Sequence, residues 1–200
     1  ALDFRRIKVD GKALIVNLSK GRLGEDNSML LGALLVTSIQ QAAMTRADIP
    51  ESDRRDFSLY VDEFQNFTTG SFASVLSEAR KFRLSLIVAH QYLSQLRVET
   101  SDAVFGNVGS IVAFQVGSDD AARLAEQLGK YPGQIAPENL SGLPKYTAYV
   151  RLLIDGMPSK PFSMQTLPPA ELLSRERADI IRRLSQRRFA GHPPPATIPI

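Results

Sequence analysis

Ser58 to Glu63 (S-L-Y-V-D-E) places two adjacent carboxylates directly after an apolar run. In an open parallel sheet, ligands bind beyond the carboxyl ends of the strands. There Asp62 can hold Mg²⁺, directly or through water, and Glu63 can orient and deprotonate an attacking water. The alternative is a strand that simply ends in acidic loop residues. A second apolar run, Leu84 to Ala89, ends in His90-Gln91. Gln91 at that point can sense a γ-phosphate or the attacking water, or serve only as an N-cap or surface amide. His90 reads as a local hydrogen-bonding group rather than an acid–base catalyst. Between the two runs, A-R-K-F-R (Ala79 to Arg83) gathers three cations at a predicted helix end. The helix macrodipole accounts for them. Their functional alternative is an arginine finger offered to a neighbouring subunit's nucleotide.

These residues need a scaffold that brings strand ends together. Ala13 to Leu18, Phe57 to Val61, Leu84 to Ala89 and Ile111 to Val116 read as short buried strands. Asp26, Asn27 or Ser28 caps a helix running to about Arg46, apolar on most sides and therefore expected in an interior. Phe72, Val75, Leu76 and Ala79 mark an amphipathic helix, as do Ala121, Leu124, Ala125 and Leu128 behind Ser118. Strands alternating with helices predict an α/β fold with parallel pairing. Pro132 to Pro144 reads as a loop, and Tyr146 to Ile154 and Lys160 to Thr166, flanking Asp155-Gly156, as a terminal hairpin or a pair of edge strands. A basic helix from about Pro169 to Arg188 and a proline-rich tail beginning at His192 follow. The expected divisions are 1–168, 169–190 and 191–200.

Composition narrows the chemistry. With 44% hydrophobic and 22% charged residues, wholesale disorder is excluded, and 200 residues suffice for one core. The chain has no cysteine and two histidines, which excludes a disulfide framework, a thiolate zinc site and a His-rich metal centre. Ala1 to Asp10 lacks the apolar region of a signal peptide. Met29 to Val36 falls short of the roughly 20 apolar residues that span a bilayer, so no membrane contact is expected from this segment. The net charge of +3 comes from the C-terminal 31 residues, with six arginines against three carboxylates, leaving 18 of each sign before them. Such asymmetry suits a polyanion or a solvated helix face. Leu172, Leu173, Ile180, Ile181 and Leu184 favour a helix packed on protein along one side, with its arginines in water.

L-Y-V-D-E-F-Q-N-F and S-E-A-R-K-F-R-L-S-L-I-V-A-H-Q-Y-L-S-Q-L resemble the C-terminal half of a RecA-like ATPase of the HerA/FtsK superfamily. Together with K-A-L-I-V-N-L-S-K-G-R-L-G and Y-T-A-Y-V-R-L-L-I-D-G-M-P-S-K-P-F, they are most similar to the conjugative and type IV secretion coupling proteins, the TraG/TraD class. The resemblance covers about residues 5 to 168. It implies a RecA-like parallel sheet flanked by helices, with Asp62 and Glu63 as the Walker B pair and Asp62 on the metal. It further implies that Gln91 is the sensor and Arg80 an arginine finger acting in trans. Gln65 and Asn66 fall in the resembling stretch with no assigned role. ATP and Mg²⁺ as cofactors, DNA as cargo, a homo-hexamer, and relaxosome or secretion-substrate partners are implied as well. So is a cytoplasmic location, with the whole protein anchored at the bacterial inner membrane.

One departure bears on activity. No G-x-x-x-x-G-K-[ST] occurs: Gly11-Lys12 precedes Ala13, and Gly129-Lys130 precedes Tyr131. Without that lysine and its cradle of backbone N–H groups, tight ATP binding by this chain alone is not expected. The chain reads as the C-terminal part of a larger ATPase, a partial P-loop domain inactive by itself. The competing reading is a non-enzymatic docking module of the same machinery, recruiting a relaxosome or substrate protein.

Overall fold

The computed structural model describes residues 3–68, 72–129, 135–168 and 175–189. Two compact units result, one of residues 4–167 and one of residues 1–3 with 168–200. In the larger unit, helices α1 (Phe4–Val9), α2 (Lys20–Leu23) and α3 (Glu25–Met44) precede strand β1 (Phe57–Val61). Helix α4 (Phe72–Glu78) leads to β2 (Leu84–Val88), and α5 (Val98–Asn107) to β3 (Ile111–Ala113). Helices α6 (Ser118–Leu128) and α7 (Pro137–Ser141) then give way to strands β4 (Thr147–Arg151), β5 (Leu153–Ile154), β6 (Met157–Pro158) and β7 (Phe162–Gln165). Helix α8 (Arg175–Phe189) belongs to the smaller unit.

Strands β1 and β2 pair in parallel, from Phe57 opposite Leu84 to Val61 opposite Val88. The ladder continues past both strands: Ala89 N–H donates to the Val61 carbonyl at 3.0 Å, and Phe64 N–H to the Ala89 carbonyl at 3.1 Å. That extension locks the residues after β1 beside those after β2. Beneath them lies a core of Val36, Val61, Phe64, Phe72, Leu93, Leu96 and Val104. Phe64 anchors the exit of β1, fully buried and stacked on Phe72 at 5.6 Å. A second cluster joins Ile111 and Ala113 of β3 to Ala121, Ala125 and Leu128 of α6.

The α/β class and the helix-flanked parallel pairing expected from the sequence are present, with three differences. First, Ala13 to Leu18 forms no strand. A strand exists by pairing, and no described strand pairs with this run; Ile15 is 91% exposed. Second, β3 ends at Ala113 and pairs antiparallel with β4, because the C-terminal β4–β7 ribbon takes its edge. Third, α3 is buried along one face only, through Ser28, Gly32, Val36, Ile39 and Ala43, while Leu30 and Leu34 are exposed. With its short extension it runs Glu25–Asp48, long and apolar enough by length and composition to cross a membrane, unlike the expectation drawn from Met29–Val36 alone. The loop expected over 132–144 contains α7, and α5 escaped the sequence reading altogether. The hairpin forms as expected: Asp155 (φ 50°) and Gly156 (φ 80°) join β5 to β6 in a two-residue turn, the left-handed pair that a tight hairpin requires. The proline-rich tail and the start of the basic helix lie outside the described residues.

Candidate functional site

The two strand exits define the site. Asp62 and Glu63 follow β1, His90 and Gln91 follow β2, and parallel pairing sets both exits at the same end of the sheet. Glu63 lies in the left-handed backbone region (φ 50°, ψ 44°) and starts a 3₁₀ turn, Phe64–Phe67. Its carboxylate is held on both oxygens. Gln91 Nε2 donates to Oε1 at 2.5 Å, and Gln65 Nε2 donates to Oε2 at 2.6 Å. Gln65 Nε2 also donates to Gln95 Oε1 at 2.9 Å. Asp62 is exposed, and its Oδ1 accepts the Glu63 backbone N–H at 3.0 Å.

These groups open onto a cleft of about 520 Å³ lined by Lys20, Glu25, Glu63, Gln65, Asn66, Gln91 and Gln95. Lys20 carries the cation of the cleft. Its Nζ pairs with Glu25 Oε1 at 2.7 Å and donates to Asn66 Oδ1 at 3.4 Å. The hydrogen bond from Lys20 and its charge hold the Glu25 carboxyl below its usual range. Gln65, Gln95 and Lys20 therefore join the predicted pair Glu63 and Gln91. Gln65 stood in the motif without a role. Nothing in the local sequence marks Lys20, which begins α2 and reaches the cleft beside Asn66 of the turn after β1.

His90 meets the Phe64 ring edge-on at 5.1 Å. Burial holds its pKa below the usual value, against the opposing pull of the Asp120 and Glu63 carboxylates. An imidazole seated edge-on against a core ring packs there, where the sequence reading expected a local hydrogen bond. Arg80 lies elsewhere, in a 3₁₀ turn (Ala79–Phe82) that replaces the last turn of the expected helix. It is exposed and makes no ion pair among the described residues. It precedes β2, whereas Glu63 follows β1. The five-residue strands thus separate them by roughly 16 Å along the sheet.

No group of three or more His, Cys, Asp or Glu that could hold a metal occurs among the described residues. Asp62 is an exposed carboxylate next to Glu63 and outside the cleft lining, so a cation on it would take its remaining ligands from water and phosphate. Glu63, Gln91 and Lys20 set a carboxylate, an amide and a cation around one cleft, with Asp62 the residue before Glu63. The phosphate-cradling motif is not within the 200 residues.

Residues 56–141 match the family profile described as the TraM recognition site of TraD and TraG. That stretch begins just before β1, ends with α7, and contains Asp62, Glu63, Arg80 and Gln91. The chain carries a TraG/TraD-class segment. Among solved structures, the bacterial conjugative coupling protein TrwBΔN70, in a trigonal form with sulphate, matches with a TM-score of 0.52 at 18% identity. The likeness covers 66% of this chain and 37% of that one, so the chain spans little more than a third of the neighbour's length. At this identity the likeness is one of fold alone. No curated protein matches.

Proposed function

We propose that this TraG/TraD segment supplies the carboxylate-and-sensor half of an ATPase site in a conjugative coupling protein. The observation that carries the reading is the Glu63–Gln91 hydrogen bond across two parallel strand exits, at the mouth of a cleft that also holds a lysine. Asp62 would hold Mg²⁺. Glu63 would orient water and take its proton, and Gln91 would report occupancy of the cleft. ATP and Mg²⁺ would supply the phosphoryl group and the charge that polarises it. The phosphate-binding loop would come from sequence outside these 200 residues. Turnover would drive DNA through a homo-hexameric ring, with Arg80 completing the next subunit's site.

Glu63→Gln tests the reading in a full-length protein that carries this chain and a phosphate-binding loop. Nucleotide binding should persist and hydrolysis should stop, because the base is removed at constant size. Normal hydrolysis by that variant would reduce Glu63 to a loop carboxylate. The 200-residue chain alone should show negligible Mg²⁺-dependent ATPase activity.

The profile's description supports a second, compatible role: docking of a relaxosome protein of the TraM kind. Co-purification of such a protein with the 56–141 region of the intact protein tests it. Undiminished binding after that region is exchanged for an unrelated sequence would remove this role.

A further inference from the structure

We propose that Gln65 is a positioning residue for Glu63, anchoring one carboxylate oxygen so that the other can pass between Gln91 and the reacting water. The inference rests on the ATPase reading above and adds a residue to it. Gln65 does not face the reacting atoms itself; it acts through Glu63.

The two amides on Glu63 differ in how firmly they are held. Gln91 is exposed, and its one side-chain bond among the described residues is to Glu63 Oε1. Such a bond can be exchanged when a ligand enters the cleft. Gln65 has both amide hydrogens committed, one to Glu63 Oε2 and one to Gln95 Oε1. Turning the amide over would set its carbonyl oxygen against a carboxylate and a second carbonyl, so its partners fix its direction. The acceptor side is sacrificed: Gln65 Oε1 is buried with no hydrogen-bond partner. A glutamine kept for packing would not strand its carbonyl in this way. The donor side is what this position uses.

Gln95 is itself tied to the frame. It ends the Leu93–Gln95 turn, whose Leu93 is buried and donates its backbone N–H to Asp120 Oδ2 at 2.9 Å. Asp120 lies in the first turn of α6. A continuous set of contacts therefore runs from α6 through Gln95 and Gln65 to Oε2 of Glu63. When Gln91 lets go of Oε1, the carboxylate keeps its orientation through Oε2.

Gln65→Leu in the full-length protein tests this. Turnover should fall about 10- to 100-fold, the cost of a misplaced catalytic group, with nucleotide Kd within twofold. The melting temperature should hold or rise, since the substitution also removes a stranded buried acceptor. Gln95→Leu should lose less, and the double variant should lose no more than Gln65→Leu, because Gln95 acts through Gln65. Wild-type turnover by Gln65→Leu, or losses that multiply in the double variant, would overturn the proposal. Should Gln65→Leu fail to fold, Gln95→Leu carries the test, and unchanged turnover there counts against it. A crystal structure of full-length Gln65→Leu with a non-hydrolysed nucleotide in the cleft, where Gln91 has let go of Oε1, reads the anchor without turnover. Glu63 should leave its present position, and a carboxylate still in place refutes the anchor even if Glu63→Gln has upheld the ATPase reading. Full hydrolysis by Glu63→Gln instead overturns that reading and the catalytic meaning of the anchor with it.

Discussion

Lys8 shows what a single side chain can cost the fold. It is 1% exposed, donates from Nζ to the Ile39 carbonyl of α3, and lies over the Phe57 ring at 5.2 Å. Burial, reinforced by repulsion from Arg46, lowers its pKa from 10.5 to about 7. Between those values the unfolded chain holds a proton that the folded chain has released. Stability therefore rises with pH across that window and is lowest below it, where the proton must be carried into the interior. Thermal melts from pH 6 to pH 9 should show an increasing midpoint, and Lys8→Met should flatten the increase. A slope unchanged in that variant would place the proton elsewhere. Arg46 is as deeply buried, but its guanidinium reaches the carbonyls of Arg55 and Phe82, tying the end of α3 to both strand entrances. The sequence disclosed neither burial, because a lone cation on an amphipathic segment looks the same whether it faces water or a carbonyl. By contrast, Glu63 and Gln91 were legible, since a polar residue ending an apolar strand has few other places to go.

Among the elements, α3 and the 3₁₀ turn of Phe64–Phe67 are coupled through one missing methyl group. A Cβ on Gly32 would lie 2.2 Å from Phe67 Cδ1 and 3.0 Å from Leu18 Cδ1. Alanine would gain about 1 kcal/mol of helix propensity. It must also displace the ring, and overpacking of this kind costs about 1–3 kcal/mol. Phe67 closes the turn that begins after Glu63 and carries Gln65 and Asn66. Gly32→Ala should therefore lower the melting temperature and, in the full-length protein, depress turnover more than nucleotide affinity. A melt at or above wild type would mean that the ring steps aside freely. The same element shows where sequence reading stops. Apolar spacing located α3 to within a few residues, yet not which of its sides meets the protein, since Leu30 and Leu34 are as apolar as Val36 and Ile39. Periodicity likewise found β3 but not its direction of pairing. Pairing depends on which strand lies at the edge, and here that is β4, which begins only at Thr147.

At the scale of the whole molecule, the distance between Arg80 and Glu63 decides how a complete enzyme would work. With a strand length between them, Arg80 cannot serve the carboxylate of its own chain, so any role in turnover must be played at a neighbour's site. Full-length Arg80→Ala should lose about 10³-fold in turnover and little ATP affinity. Mixed with Glu63→Gln subunits, it should recover hydrolysis wherever an intact Glu63 meets an intact Arg80 from the next subunit. Verified mixed rings without recovery would leave Arg80 a helix-end cation. The exposed side of the parallel pair, Tyr60 at 74% and Ile87 at 40%, and the unpaired Ile15 show that this chain does not cover all of its own apolar surface. One further cost falls on the fold as a whole. The left-handed backbone at Glu63 is disfavoured by about 1 kcal/mol for a residue with a Cβ. Glycine would relieve it, while adding back roughly 0.5–1 kcal/mol of unfolded-chain entropy. Glu63→Gly also gives up the hydrogen bonds from Gln91 and Gln65 to the carboxylate, which outweigh the relief of the backbone, so it should melt lower than the wild type.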